Sequence, residues 1–227
     1  MRIKQLHAWQ VPPGEAIRIQ EQIRGRVTCR GALQGIRTVA GADVSVSRKS
    51  RDVWAGVVVL RLPGLVKVEE RWAGGETSFP YIPGLLSFRE IPILLEALQK
   101  ITTIPDVLLC DGQGRAHPKG LGLAAHLGLL IDVPTIGCAK SRLVGTFSQL
   151  GENRGDSTPL LYQGKIVGRV LRTRTGVRPL FVSPGNGIDL KTSVRIVLRC
   201  CPKYRIPEPI RQAHLLVNGL RRREEGG

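Results

Sequence analysis

The sequence predicts an α/β fold in which one mixed sheet is covered by helices. Three observations carry that expectation. Three strand-like segments follow one another between residues 38 and 72, short apolar runs then alternate with helical periodicities, and two amphipathic helical patterns close the chain. Consecutive strands can pair as an antiparallel meander, whereas strand–helix–strand alternation favours parallel neighbours.

After Pro12-Pro13, the apolar residues Ala16, Ile19, Ile23 and Val27 recur at helical spacing with charge between them. The period then changes, and Thr38 to Ser47, Asp52 to Leu62 and Leu65 to Trp72 read as strands, with Pro63-Gly64 turning the second into the third. A helix is expected over Ile91 to Ile101, because Ile91, Leu94, Leu95 and Leu98 share a face. Val107 to Cys110 reads as a short buried strand, Gly120 to Ile131 as a small-residue helix, and Thr135 to Cys138 as another short strand. Leu160 to Tyr162 and Lys165 to Arg172 form a hairpin pattern across Gln163-Gly164, and Arg178 to Val182 adds a strand. Asp189 can cap a helix carrying Leu190, Val194, Val197 and Cys201. A last helix after Pro209 shows Ile210, Ala213, Val217 and Leu220, and residues 221–227 are expected to fray. With no repeat, low-complexity linker or composition break, the expectation is a single domain over residues 1–227.

Charge narrows the class of partner. Lys and Arg number 34 against 18 Asp and Glu, a formal charge of +16, and such an excess suits a polyanion such as nucleic acid. A generally basic soluble protein is the alternative. Aromatic residues are only 4% against 42% hydrophobic, so the core must be mainly aliphatic. The five cysteines (Cys29, Cys110, Cys138, Cys200 and Cys201) are odd in number and contain no CxxC pair, which argues against a disulfide framework or a zinc site. Met1 to Gln5 lacks the apolar stretch of a signal peptide, and no apolar run is long enough to span a bilayer. A cytoplasmic location without membrane contact is expected.

Chemistry concentrates in five places. Val107-Leu108-Leu109-Cys110 delivers Asp111 to the end of a strand, followed at once by Gly112-Gln113-Gly114, with His117 close by. Asp-Gly is ordinarily a turn signal, but strand ends in α/β sheets are also where ligands and metals sit. Asp43 lies inside an apolar first strand, where a charge must be paired or bound to metal. If the first strand lies beside the fourth, Asp43 and Asp111 meet, and a hard cation such as Mg²⁺ resolves their repulsion. Glu90, read as lying at a helix start, is a third carboxylate, with helix capping as its alternative role. Before it, Pro80-Tyr81-Ile82-Pro83-Gly84 is a stiff loop whose tyrosine can act as a wedge in a base stack, or simply occupy a rigid turn. Lys140 ends another strand, where a cation can offset charge developing on a phosphate. His214, on the last helix, matters only if that helix packs over the carboxylates.

Together these segments resemble the endonuclease V family of deoxyinosine 3′-endonucleases. The resemblance runs through Val39-Ala40-Gly41-Ala42-Asp43, the stretch from Pro80 to Glu90, Asp111 to Pro118, Pro134 to Lys140, and Pro207 to Arg211. It implies a ribonuclease H-like fold and cleavage of the second phosphodiester bond 3′ of a hypoxanthine nucleotide, leaving a 3′-hydroxyl and a 5′-phosphate. Mg²⁺, or Mn²⁺ in its place, is the implied cofactor, with Asp43, Glu90 and Asp111 as the metal-binding carboxylates. Tyr81, with Pro80, Ile82, Pro83 and Gly84, falls in the strand-separating wedge, and Lys140 falls near the scissile phosphate. Arg89 and His117 support the substrate or the metal shell, Gly112 and Gly114 leave room for the nucleic acid, and His214 is a ligand or water-orienting group. Two positions depart from the family pattern: Cys138, where an aliphatic residue is expected, and Gly120, where a basic one is. The implied partner is DNA containing deoxyinosine, met by a monomer. The rival readings are a related nuclease acting on inosine in RNA, on single strands or on branched or mismatched DNA, and a non-catalytic nucleic-acid-binding protein.

Overall fold

Strand pairing begins with the meander. In the computed structural model, which describes residues 1–226, β1 (Thr38–Val46), β2 (Asp52–Arg61) and β3 (Val66–Glu76) pair antiparallel in that order. The other edge of β1 takes β4 (Leu108–Cys110) as a parallel neighbour, with Ala42 opposite Cys110, and β4 takes β5 (Thr135–Ala139) in the same sense. The hairpin β6 (Ser157–Tyr162) and β7 (Lys165–Leu171) turns at Gln163-Gly164, both with positive φ (50° and 71°), the signature of a two-residue hairpin turn. It joins through β8 (Leu180–Pro184), which runs antiparallel to β5. One sheet of eight strands results, in the order β3-β2-β1-β4-β5-β8-β7-β6.

Alternation along β1 assigns its side chains to two layers. Ala40 and Ala42 face the core made with α2 (Leu86–Gln99) and α3 (Leu123–Leu130), where Ile91, Leu94, Leu98 and Leu127 are fully buried. Beyond them, α1 (Pro13–Ile23) packs Ala16, Ile19 and Ile23 against Phe79, Phe88 and Leu129. Val39 faces the opposite layer, formed by α4 (Leu190–Arg199) and α5 (Glu208–Glu224), with Ile196, Val197, Ile210 and Ala213. Asp189 caps α4 as expected, its carboxylate accepting from the Thr192 amide at 2.7 Å.

Among the departures from the sequence reading, β3 runs on past Trp72 to Glu76 and α3 starts at Leu123 rather than Gly120. α2 starts at Leu86 rather than Ile91, and Pro92 lies inside it. A proline disfavours helix in the residue before it, so the pattern reads as a start, yet one missing N–H leaves only one carbonyl without its helical donor. Glu90 therefore stands a full turn inside α2 and not at its capping positions. β8 lies two residues later than expected. The segment 221–227, expected to fray, is helical through Glu224, whose carboxylate accepts from Trp54 Nε1 at 3.0 Å, while Glu225 accepts from Ser47 Oγ at 2.7 Å. Its last residue, Gly227, lies outside the described residues.

α5 lies unusually close to the sheet. A Cβ placed on Gly41 would be 2.1 Å from the carbonyl carbon of Pro209 and 2.4 Å from the Ile210 nitrogen, so only glycine admits the helix there. Two strand residues advance ~6.6 Å and four helix residues about 6 Å, so the two elements stay in step. Gly41 meets Ile210, Asp43 meets His214 and Ser45 meets Asn218. Gly41→Ala should consequently destabilise the protein by about 3 kcal/mol in urea unfolding, because backbone atoms cannot yield as a side chain does. The control Gly14→Ala, with open space around it, should change stability by less than about 1 kcal/mol. An unaltered midpoint for Gly41→Ala would show that the close approach does not hold α5.

Candidate active site

The sheet is shallow at its centre, and that opens the site. β4 ends at Cys110, so Asp111 emerges beside the middle of β1, its amide donating to the Ala42 carbonyl at 3.2 Å. Asp43 projects from β1 toward α5, where His214 Nδ1 lies 2.7 Å from its Oδ2. Asn218, one turn further along α5, places its amide nitrogen 3.1 Å from His214 Nε2 and accepts from Ser45 Oγ through its own oxygen. With Nε2 accepting from that amide, the His214 proton sits on Nδ1 and faces Asp43. Donor atoms of Asp43, Asp111 and His214 all lie within 4.8 Å of one another.

Glu90 approaches from the other side of the sheet, on α2, and stands outside that close group. Burial pushes its carboxyl up to about 8, and the Asp43 and Asp111 charges push the same way. The Asp111 carboxyl is likewise raised, by burial and then by Asp43, against the pull of Lys140, whose ammonium is paired with it. Arg205 fixes the Lys140 backbone by donating to its carbonyl at 2.7 Å. Three carboxylates thus share a partly desolvated space, with Lys140 paired to Asp111 and the Arg89 guanidinium pulling against the rise at Glu90. The Asp43 and Asp111 carboxylates converging there, with the His214 ring fixed beside them, suit a divalent cation, whose charge would relieve the repulsion.

Next to the cluster opens a pocket of about 370 Å³, lined by Tyr81, Gly84, Glu90, Asp111, Gly112 and His117 among others. The loop 80–84 forms its lip. Tyr81 is 69% exposed, while Ile82 packs beneath it on the Phe79–Phe88 cluster. Gly84 has φ +87°, a left-handed conformation that glycine alone adopts without strain, and its carbonyl accepts from Gln20 Nε2 (2.9 Å) and His117 Nε2 (3.0 Å). Arg89 donates to the Phe79 carbonyl at 3.0 Å. His117 and Arg89 therefore brace the loop and lie outside the close donor group of Asp43, Asp111 and His214.

One expectation changes. A Cβ on Gly114 would fall 2.1 Å from the Pro184 carbonyl oxygen, so that residue makes room for the protein's own backbone rather than for a nucleic acid. Gly112 does line the pocket, with Leu123 behind it. Gly120, where a basic residue was expected, has φ +69°, and Cys138 is buried with Ile136 and Val182. Asn218, Gln20 and Arg205 were not singled out from the sequence. Only Asn218 carried a signal, its spacing of four from His214.

The sequence profile of the family described as Endonuclease V matches residues 21–215. The chain belongs to the endonuclease V family. It is 51% identical over 219 residues to the endonuclease V of Nostoc punctiforme, covering 96% of this chain and 99% of that one. The crystal structure of endonuclease V from Streptomyces avermitilis superposes with a TM-score of 0.91 at 41% identity, covering 99% of this chain and 100% of that one. The Ciona intestinalis enzyme, in complex with a 24mer DNA containing an inosine followed by a ribo-adenosine, gives a TM-score of 0.83 at 28% identity, covering 92% and 98%. The ribonuclease H-like sheet expected from the resemblance is the one observed.

The loop brace has a consequence for stability. Burial lowers His117 to about 4 and His126 to about 3; the latter bonds Ser87 Oγ (3.0 Å) and His7 Nε2 (2.7 Å). Unfolding returns both to about 6.5, so the unfolded chain binds more protons and stability falls as pH drops below that value. Between about pH 6 and 4.5 the two histidines contribute a fall of about 2 kcal/mol per pH unit, on the order of one proton each, partly offset by Glu90, which keeps its proton in the fold and loses it in the unfolded chain. His126→Asn should flatten it in urea titrations followed against pH; a slope equal to wild type would mean that His126 is not held neutral.

Proposed function

We propose that the protein is a DNA repair endonuclease that recognises deoxyinosine and hydrolyses the second phosphodiester bond on its 3′ side, leaving a 3′-hydroxyl and a 5′-phosphate. The observation that carries this reading is the placement of a carboxylate–imidazole cluster at the edge of a pocket overhung by an exposed, braced tyrosine. The bound inosine-containing DNA of the Ciona relative supports the same substrate class.

Asp43 and Asp111 would hold Mg²⁺, or Mn²⁺, with Glu90 bordering the site and His214 fixed beside Asp43; the ion would supply an activated water and offset charge on the scissile phosphate. The protein's own groups do the rest. Lys140 sits at the pocket edge beside Asp111 and can donate to a phosphate oxygen as charge develops there. Asn218 and Asp43 hold the His214 ring from both nitrogens, which keeps one tautomer and one orientation. Substrate enters base first. The inosine base flips into the pocket against Gly84 and Gly112, and Tyr81, flanked by Pro80 and Pro83, fills the space it leaves. Flipping costs a few kcal/mol, and least for a poorly paired base, which favours a hypoxanthine mispair over normal DNA.

Asp43→Asn and Asp111→Asn should each lower Mg²⁺-dependent nicking of an inosine-containing duplex by about a thousandfold or more, since each removes a ligand charge. Both should remain folded in thermal melts. Persistent nicking by either variant would remove the cluster from the chemistry. Assays on matched DNA and RNA strands with one inosine each, with and without chelator, separate the DNA reading from the RNA one and from binding without cleavage.

Tyr81→Ala should raise KM for duplex substrate by about tenfold, the order of one lost base–aromatic stack, and leave cleavage of single-stranded inosine DNA near wild type. Equal behaviour of the two substrates would dismiss the wedge.

A further inference from the structure

A second depression adjoins the base pocket, and the chemistry described so far does not use it. It is an open trough of about 750 Å³ between the end of α1, the loop from Arg115 to Gly120, and the β6–β7 turn. Arg24, Arg115, Lys119 and Lys165 line it, and no carboxylate does. Lys119 is held by Glu21 at 2.5 Å. Arg24, Arg115 and Lys165 are exposed, and none is held in an ion pair among the described residues. The half-buried Tyr162 adds an aromatic wall. Three cations on three separate elements, along one groove, match a chain of phosphates better than a single anion.

Position gives the groove a polarity. His117 lines both the base pocket and the trough, whereas Asp111 and Lys140 border the pocket only. With the cut on the 3′ side of the flipped base, the strand that leaves toward Asp111, Asp43 and His214 is the 3′ one. The strand that leaves past His117 is therefore the 5′ one. We infer that the Arg24–Arg115–Lys165 trough binds the phosphate backbone of the inosine-bearing strand on the 5′ side of the lesion. This rests on the reading of the protein as an inosine-directed nuclease and extends it from the base to the flanking strand.

The test uses the full chain with Arg24→Gln, Arg115→Gln and Lys165→Gln combined, substitutions at exposed positions checked for an unchanged thermal melt. Three labelled single strands serve as probes: one whose 5′ end is the deoxyinosine itself, one extended only on the 5′ side, and one extended only on the 3′ side. Affinity is followed by fluorescence anisotropy across a salt series with divalent ions chelated, and cleavage is followed with Mg²⁺. The triple variant should bind the 5′-extended strand about tenfold more weakly at low salt. Its slope of log affinity against log salt should shrink by about 2, at ~0.7 per phosphate contact on a single strand. Its affinity for the other two strands should equal wild type. Equal losses on all three strands, a loss confined to the 3′-extended strand, or no loss at all would each overturn the assignment. Failure of the wild-type protein to cut any inosine strand would instead tell against the nuclease reading, and it is visible before any variant is made.

Discussion

The contact between Gly41 on β1 and the start of α5 sets the geometry on which the site depends. Because position 41 has no side chain, the Pro209–Ile210 backbone rests directly on the strand. From that fulcrum the near-equality of four helical and two strand rises carries the two elements forward in register. His214 then meets Asp43 and Asn218 meets Ser45. A bulkier residue at position 41 would lift the helix away from the carboxylates, even though Gly41 neither lines the pocket nor belongs to the donor group.

The second constraint is electrostatic. Asp43 comes from a strand, Asp111 from the residue just past one and Glu90 from a helix on the opposite face, and their charges act on one another. Apolar packing of the two helical layers forces the carboxylates together, and Lys140 compensates only part of the charge. A folded state that carries this repulsion has a site ready for a cation, much as strain at a functional centre is offset by the packing around it. The lip of the pocket beside the cluster is held by a different means. Neutral histidine, glutamine and arginine side chains bond backbone carbonyls at Gly84 and Phe79, so the exposed Tyr81 stands on a braced loop.

Much of this was legible along the chain, for identifiable reasons. The meander, the β6–β7 turn and the Asp189 cap announce themselves because alternation, Gln-Gly in a turn and a capping carboxylate are local signals. α2 was read only from the shared face of Ile91, Leu94, Leu95 and Leu98, so its first turn, which precedes Pro92, was left out. The tail misled the sequence reading. Arg221 to Glu224 looks solvated in one dimension, whereas Trp54, distant in sequence, gives Glu224 a partner. Gly114 was taken as space for a ligand, but its nearest neighbour is the Pro184 carbonyl of a strand 70 residues away.

The sequence by itself determined the order of elements, the basic charge, and which carboxylates stand at strand ends or inside apolar segments. Those are properties of residue type and short-range spacing, and they survive without coordinates. Only the tertiary structure decided which residues act together. It placed His214 with Asp43 and Asp111 within 4.8 Å, set Glu90 on the opposite side, and turned Arg89 and His117 into supports for a loop. Distances between groups more than a hundred residues apart depend on how closely helices can approach a sheet, and that is fixed by side-chain volume at positions such as Gly41.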